Sequence, residues 1–61
     1  MKFEELRNVL DAYIRVEVYD YKGELKYNGR LLDLKDDVIN TVLRVDAQRT
    51  NKDLYLEIVG Y

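Results

Sequence analysis

The sequence predicts an α+β fold, in which one N-terminal helix packs on a four-stranded antiparallel sheet made of two hairpins, with a short helical turn before the third strand. Three observations predict it. Apolar residues near the start recur at helical spacing, four later segments alternate apolar and polar residues, and turn-forming residues separate those segments. We expect all 61 residues to form a single small domain, 1–61.

Residues 2–10 are predicted to form the helix. Phe3, Leu6, Val9 and Leu10 fall on one face at positions i, i+3, i+6 and i+7. Because a helix this short does not persist alone in water, it must pack on the rest of the chain.

The first predicted hairpin joins strands at 13–20 and 24–32. Residues 20–23 suit a type I turn closed by a left-handed glycine, Gly23. Asn28-Gly29 interrupts the second strand, and we interpret it as a bulge at Gly29 because a hairpin turn there would leave residues 24–27 too short.

The second predicted hairpin joins strands at 41–49 and 54–60 through a polar turn at 50–53, after a helical turn at 34–40. Leu43, Val45 and Ala47 are predicted to face inward from the third strand, and Leu54, Leu56 and Ile58 from the fourth. The predicted core comprises Phe3, Leu6, Leu10, Ile14, Val16, Val18, Leu25, Leu31, Leu43, Val45, Leu56 and Ile58.

The missing residue types restrict the chemistry. The chain has no Cys, His or Ser, which excludes Ser or Cys nucleophiles, His acid–base catalysis and a thiolate zinc site. Asp33, Asp36 and Asp37 form the one acidic cluster, which could bind a divalent cation or act as an acid–base pair, and which we interpret as a solvated turn. Carboxylate, Lys, Tyr or Thr chemistry is what remains, and because no constellation of these residues stands out, the sequence predicts no catalysis and no cofactor.

The length of the chain and the composition of its segments indicate its oligomeric state and its compartment. A chain of 61 residues buries only about 60% of its unfolded surface, so its stability is marginal and a homodimer is expected. The acidic start, Met1 to Glu5, is not that of a signal peptide, and no apolar run approaches the roughly 20 residues that span a bilayer. We expect a cytoplasmic protein without membrane contact.

The predicted outer face of the sheet is rich in Tyr and Arg, the residue types enriched at the energetic centres of protein interfaces. Tyrosine is also an ordinary strand former. Net charge is −2 and each outward strand carries an acidic residue, which argues against nucleic acid. We expect this face to bind a protein partner or a second copy through Arg15, Tyr19, Arg30, Arg44, Tyr55, Val59 and Tyr61.

Part of the chain resembles an Sm-like domain. The likeness lies in the predicted helix followed by 14–18, in Gly29, and in Asp36-Asp37-Val38-Ile39-Asn40, which matches the Asp-x-x-hydrophobic-Asn motif of that family. The resemblance implies single-strand RNA binding, with Asp36 and Asn40 at the positions that hold bases. The sequence departs from the family in lacking Arg before Gly60 and residues for a fifth strand.

The whole chain also resembles a loose class of tiny orphan proteins from phages and mobile elements of Gram-positive bacteria. The stretches that carry this likeness are 3–11, 16–23 and Tyr27-Asn28-Gly29. Some proteins of this class inhibit host defence systems by docking on a defence protein. The resemblance implies a non-catalytic, protein-binding inhibitor acting in the host cytoplasm.

Overall fold

The computed structural model describes all 61 residues and contains one helix, one 3-10 helix and four strands. This confirms the α+β class. In chain order the elements are α1 (Phe3–Val9), β1 (Arg15–Asp20), β2 (Leu25–Arg30), the 3-10 helix (Leu31–Asp33), β3 (Val42–Arg49) and β4 (Leu54–Gly60).

The four strands form one sheet in the order β2-β1-β4-β3. Both predicted hairpins are present, since β1 pairs with β2 and β3 with β4 in antiparallel fashion. The two central strands, β1 and β4, pair in parallel. The prediction of a wholly antiparallel sheet is therefore wrong, and the sheet is mixed.

The segment between β2 and β3 explains the parallel pair. β2 ends beside the first residue of β1, whereas β3 begins beside the last residue of β4, at the opposite end of the sheet. Residues 31–41, here called the crossover, must therefore run the length of the sheet. They do so on the inner face because Leu31, Leu34 and Ile39 are buried there. The predicted helical turn at 34–40 is replaced by the earlier 3-10 helix and a turn at 36–38.

The core lies between the inner face of the sheet and a layer formed by α1 and the crossover. Of the predicted core, six residues are buried and four more pack against them, half-buried. The buried residues are Phe3, Leu6, Val16, Val18, Leu31, Leu34, Ile39, Val42 and Ile58, and the predicted residues packed against them are Leu10, Ile14, Val45 and Leu56.

Two bulges overturn the remaining core predictions. An irregularity in β2 places Leu25 opposite Tyr19 on the outer face, where it is 48% exposed. A second one, between Val42 and Arg44, leaves Leu43 56% exposed and buries Val42, which alternation predicted to face outward. A bulge inserts one unpaired residue, and the alternation of faces slips by one at that point.

Three smaller features follow from local packing. Gly29 is not a bulge, because it pairs in regular register with β1, and its missing Cβ leaves room for the Tyr27 ring. Gly23 has a φ of +86°, which confirms the left-handed turn glycine. Ala47 and Leu54, predicted to face inward, are exposed because the inner layer does not extend over their end of the sheet.

Candidate functional site

The outer face of the sheet carries no second layer. Since Val16 and Val18 of β1 point into the core, the alternate residues Arg15, Glu17 and Tyr19 face outward. Strand register extends these positions into three rows across the sheet, and none of the residues in them is buried. The first row is Arg30, Arg15, Tyr55 and Gln48; the second is Asn28, Glu17, Glu57 and Asp46; the third is Leu25, Tyr19, Val59 and Arg44.

The structure groups five of the seven predicted site residues into two neighbouring clusters. Arg15 and Tyr55 are in contact at one end, with the guanidinium carbon 4.1 Å from the ring centre. Tyr19, Val59 and Arg44 are neighbours in the third row.

The other two predicted site residues lie at the margins of the outer face, although Arg30 is the cross-strand neighbour of Arg15. Arg30 is at the β2 edge, where its guanidinium donates a hydrogen bond to the Tyr13 carbonyl oxygen. Tyr61 follows the last residue of β4 and is 62% exposed. Neither residue is brought against Tyr19 or Tyr55.

Arg15 makes three hydrogen bonds within the chain. Its Nε donates to Asp53 at 2.6 Å, and its Nη1 donates to Glu17 at 3.2 Å and to Asn28 at 3.0 Å. The hydrogen bond to Asp53 raises the pKa of Arg15, and the same bond holds the pKa of Asp53 below its ordinary value. Two carboxylates therefore flank this guanidinium, which also lies over the Tyr55 ring.

An open groove of about 570 Å³ lies at the other end of the outer face. Four side chains give it an apolar lining: Tyr19, Tyr21, Leu43 and Val59. Sequence reasoning missed Tyr21, which it placed in a turn, and Leu43, which it placed in the core. The bulge that turns Leu43 outward leaves no trace in the alternation, so no sequence signal identified it. The groove is completed by Gly23 and by three charged residues, Asp20, Arg44 and Glu57.

Three carboxylates cross the centre of the outer face, and two have partners. Glu17 accepts hydrogen bonds from Arg15 and from the Tyr19 hydroxyl, the latter at 2.8 Å, and this bond raises the pKa of Tyr19. Asp46 is paired with Arg44 at 2.9 Å. Glu57 lies between them, half-buried, with no ion pair or side-chain hydrogen bond. It is an acceptor at the edge of the groove that the chain leaves open.

The two residues singled out by the Sm-like resemblance share a separate cleft. Asp36 and Asn40 line a space of about 400 Å³ between α1 and the crossover, together with Arg7. Arg7 is bound to Asp36 at 2.5 Å and donates to the carbonyl oxygens of Leu31 and Leu34. These contacts fix the crossover to the helix. No group of three or more acidic side chains is arranged to hold a metal ion, here or elsewhere in the chain.

The comparisons with known proteins found no relative. No family model, no curated protein and no solved structure matches the chain. Neither of its two short helices has the length and apolar character needed to cross a bilayer.

Proposed function

We propose that this chain is a non-catalytic protein-binding module that docks on a folded partner protein through the outer face. The observation that carries the proposal is a sheet face without a second layer, with an apolar groove lined by tyrosines at one end. Tyrosine combines a large apolar area with a hydroxyl and loses little conformational entropy on binding, which makes it effective in interfaces.

Glu57 defines the chemistry of the partner. A half-buried carboxylate loses hydration when an interface closes over it, and the loss is offset only if the partner supplies a cation or hydrogen-bond donors. A fitting partner surface presents an Arg or Lys side chain to Glu57 and an apolar side chain beside it, against Tyr19 and Val59. The partner is therefore basic at the contact and apolar next to it.

The dimensions suit an interface of ordinary size. The molecule measures 30 × 25 × 17 Å. The area of its broad faces is therefore close to the roughly 800 Å² that each partner buries in a standard complex. A face this size leaves room for an apolar contact at the groove and for polar pairs along the rest of the face.

A photo-crosslinking experiment in the cells where the chain naturally occurs tests the face. A photoreactive amino acid replaces Val59 on the outer face or, as a matched control, Val9 of α1, which is 78% exposed. We expect a discrete protein adduct from position 59 and none from position 9. Equal adducts from both positions, adducts only with a second copy, or none from position 59 would overturn the proposal.

Point variants test the chemistry once the adduct is identified. Glu57→Gln should weaken binding and Glu57→Lys should abolish it, whereas Glu5→Gln on α1 should leave it unchanged. The double variant Tyr19→Ser/Tyr55→Ser should also lose binding while staying folded, and Tyr13→Ser, at a side chain 71% exposed, is its control. Retained affinity in a folded double variant refutes the assignment of the face.

For the biological role, we infer an inhibitor encoded by a phage or mobile element, whose partner is a host defence protein. The support is the small size, the missing nucleophile types and the likeness to tiny phage proteins given above. Production of the chain in defended hosts should restore plaque formation against at least one defence system, and Glu57→Lys should not. Restoration that is equal in that variant would contradict inhibition through the outer face.

Single-strand RNA binding is the second candidate, favoured by the placement of Asp36 and Asn40 in one cleft beside Arg7. It predicts nucleic acid in the purified protein and an affinity for oligouridylate that falls steeply with salt. It also predicts that Asn40→Ala abolishes that affinity. The protein-binding proposal predicts no oligouridylate affinity at any salt concentration.

A further inference from the structure

The outer edge of β3 carries backbone groups without partners. At the end of the hairpin, the Thr50 amide donates to the Asp53 carbonyl at 2.8 Å. Hydrogen-bonded pairs alternate along an antiparallel ladder, so Arg44, Asp46 and Gln48 direct their backbone groups to β4. Val45, Ala47 and Arg49 direct theirs away from the sheet, and no hydrogen bond beyond the ladder involves them. Such an edge is a template for another strand.

The other edges of the sheet are protected. Met1 covers the beginning of β3, because its carbonyl accepts from the Val42 amide at 2.6 Å and its amino group donates to the Val42 carbonyl at 3.3 Å. The β2 edge is interrupted by its own irregularity at Lys26 and carries charged Lys26 and Arg30. A bulge within a strand and charges of one sign, as on β2, hinder pairing of that edge with a second copy, whereas β3 has its bulge at its beginning and carries charges of both signs. Positions 43–49 of β3 are the open stretch.

The charges along this stretch complement themselves. Arg44 and Asp46 flank Val45, and their side chains are 62% and 47% exposed on the outer face. If two β3 strands pair antiparallel about a two-fold axis at Val45, each Arg44 lies opposite Asp46 of the other copy. Val45 then pairs with its own copy through its free backbone groups. Arg44 and Asp46 form the non-hydrogen-bonded pairs, in which side chains are closest.

The neighbouring registers lack this match. An axis at Asp46 brings two carboxylates together, and an axis at Ala47 places Asp46 opposite Gln48. In the register centred on Val45, Leu43 lies opposite Ala47, and pairing ends there because Met1 occupies the next position. The charges and the free backbone groups thus select one arrangement.

We propose that a second copy of this chain pairs along β3 in this register, forming a symmetric dimer with a continuous eight-stranded sheet. The two-fold axis stands perpendicular to the sheet, so both outer faces point the same way and the two grooves lie on either side of the axis. The proposal does not rest on the partner discussed above, because it is carried by the backbone groups of the β3 edge, although the Arg44 side chain also lines the groove.

Charge swapping on the purified chain tests it, with molecular mass measured by sedimentation equilibrium up to millimolar concentration. The wild type should reach twice its 7.3 kDa mass. Arg44→Glu and Asp46→Arg should each be monomeric, because each places two like charges opposite each other twice. Lys35→Glu, a charge reversal at an exposed position remote from the edge, should dimerise as the wild type does.

Mixing the two monomeric variants supplies the decisive result. Every pair across the axis is then complementary, so a heterodimer should form, and the double variant Arg44→Glu/Asp46→Arg should dimerise by itself. Circular dichroism confirms that each variant is folded. A monomeric wild type, a dimer that both single variants retain, or a mixture that stays monomeric would overturn the β3 pairing whatever the outer face binds.

Discussion

Ile58 gives the sharpest test of the core. It is fully buried at the centre of the sheet, where it pairs with Val18 on one side and Val45 on the other. Ile58→Val removes one methylene and leaves the β-branch intact, so it should cost about 0.5–1.5 kcal/mol. A chain of this length has a total stability of roughly 3–9 kcal/mol. Each kcal/mol lowers the melting temperature of so small a domain by about 4–8 °C, which thermal unfolding followed by circular dichroism resolves.

Leu43→Val is the matched control. It removes the same number of carbon atoms from a strand residue that alternation assigns to the core and the structure exposes by 56%. The expected cost is within about 0.5 kcal/mol, as for exposed positions in general. If the two variants lose equal stability, or if Leu43→Val loses more, the bulge at Leu43 and the assignment of inner and outer faces are refuted.

Three further predictions follow from individual contacts. Gly60→Ala should cost about 1–3 kcal/mol in chemical denaturation, because a Cβ there would overlap the Thr41 carbonyl oxygen and the Ile39 side chain; a neutral result would contradict the packing of β4 against the crossover. The pKa of Asp53 is lowered in the folded chain, so its stabilising contribution is present above the ordinary Asp pKa of about 3.9 and is lost as pH falls through its folded value; the melting temperature of Asp53→Asn should depend less on pH in acid, and an unchanged dependence would refute the ion pair. The pKa of Tyr19 is raised, so its phenolate absorbance should appear at a pH above the ordinary pKa of about 10, and Glu17→Gln should lower that pKa. A pKa of Tyr19 that is the same with and without the Glu17 carboxylate would exclude the hydrogen bond.

Local sequence signals predicted most of the elements. The apolar spacing of Phe3 and Leu6 places the helix, although it ends at Val9, and the alternation of Val16 and Val18 identifies β1 and its buried face. Gly23 fixed the first turn. These predictions succeed because the periodicity of a helix or strand and the geometry of a tight turn are set by residues close together in the sequence.

The parallel pairing of β1 with β4 was not predicted, because it depends on contacts between residues that are far apart in the sequence. Two hairpins can join through either pair of strands and in either direction, and the choice is made by where the connection between them packs. Leu31, Leu34 and Ile39 bury against the inner face and carry the chain to the far end of the sheet. The connection between β2 and β3 has eleven residues, several of them apolar, which is long for a turn between hairpins. That length indicates a crossover, but the alternation of the strands, on which the prediction of the sheet rested, does not include it.

The outer face shows how far sequence reasoning reaches toward a site. Alternation within β1 and β4 placed Arg15, Tyr19 and Tyr55 outward, and the structure agrees. Leu43 was not identified because its exposure depends on the bulge. Glu57 was not identified because it stands out only in the structure, where the neighbouring carboxylates have ion-pair partners and Glu57 has none. The bulge affects only the beginning of β3, since register from Arg44 onward is set by the hairpin turn. It therefore buries Val42 in the core, adds an apolar wall to the groove, and leaves Arg44 and Asp46 aligned on the outer face. The inserted residue, Leu43, thus affects the core through Val42, the groove through its own side chain, and the β3 edge through the position of Arg44. Because the Leu43 side chain itself lies in the groove and not in the core, Leu43→Val should leave the free energy of unfolding unchanged and weaken the binding of a partner at the groove.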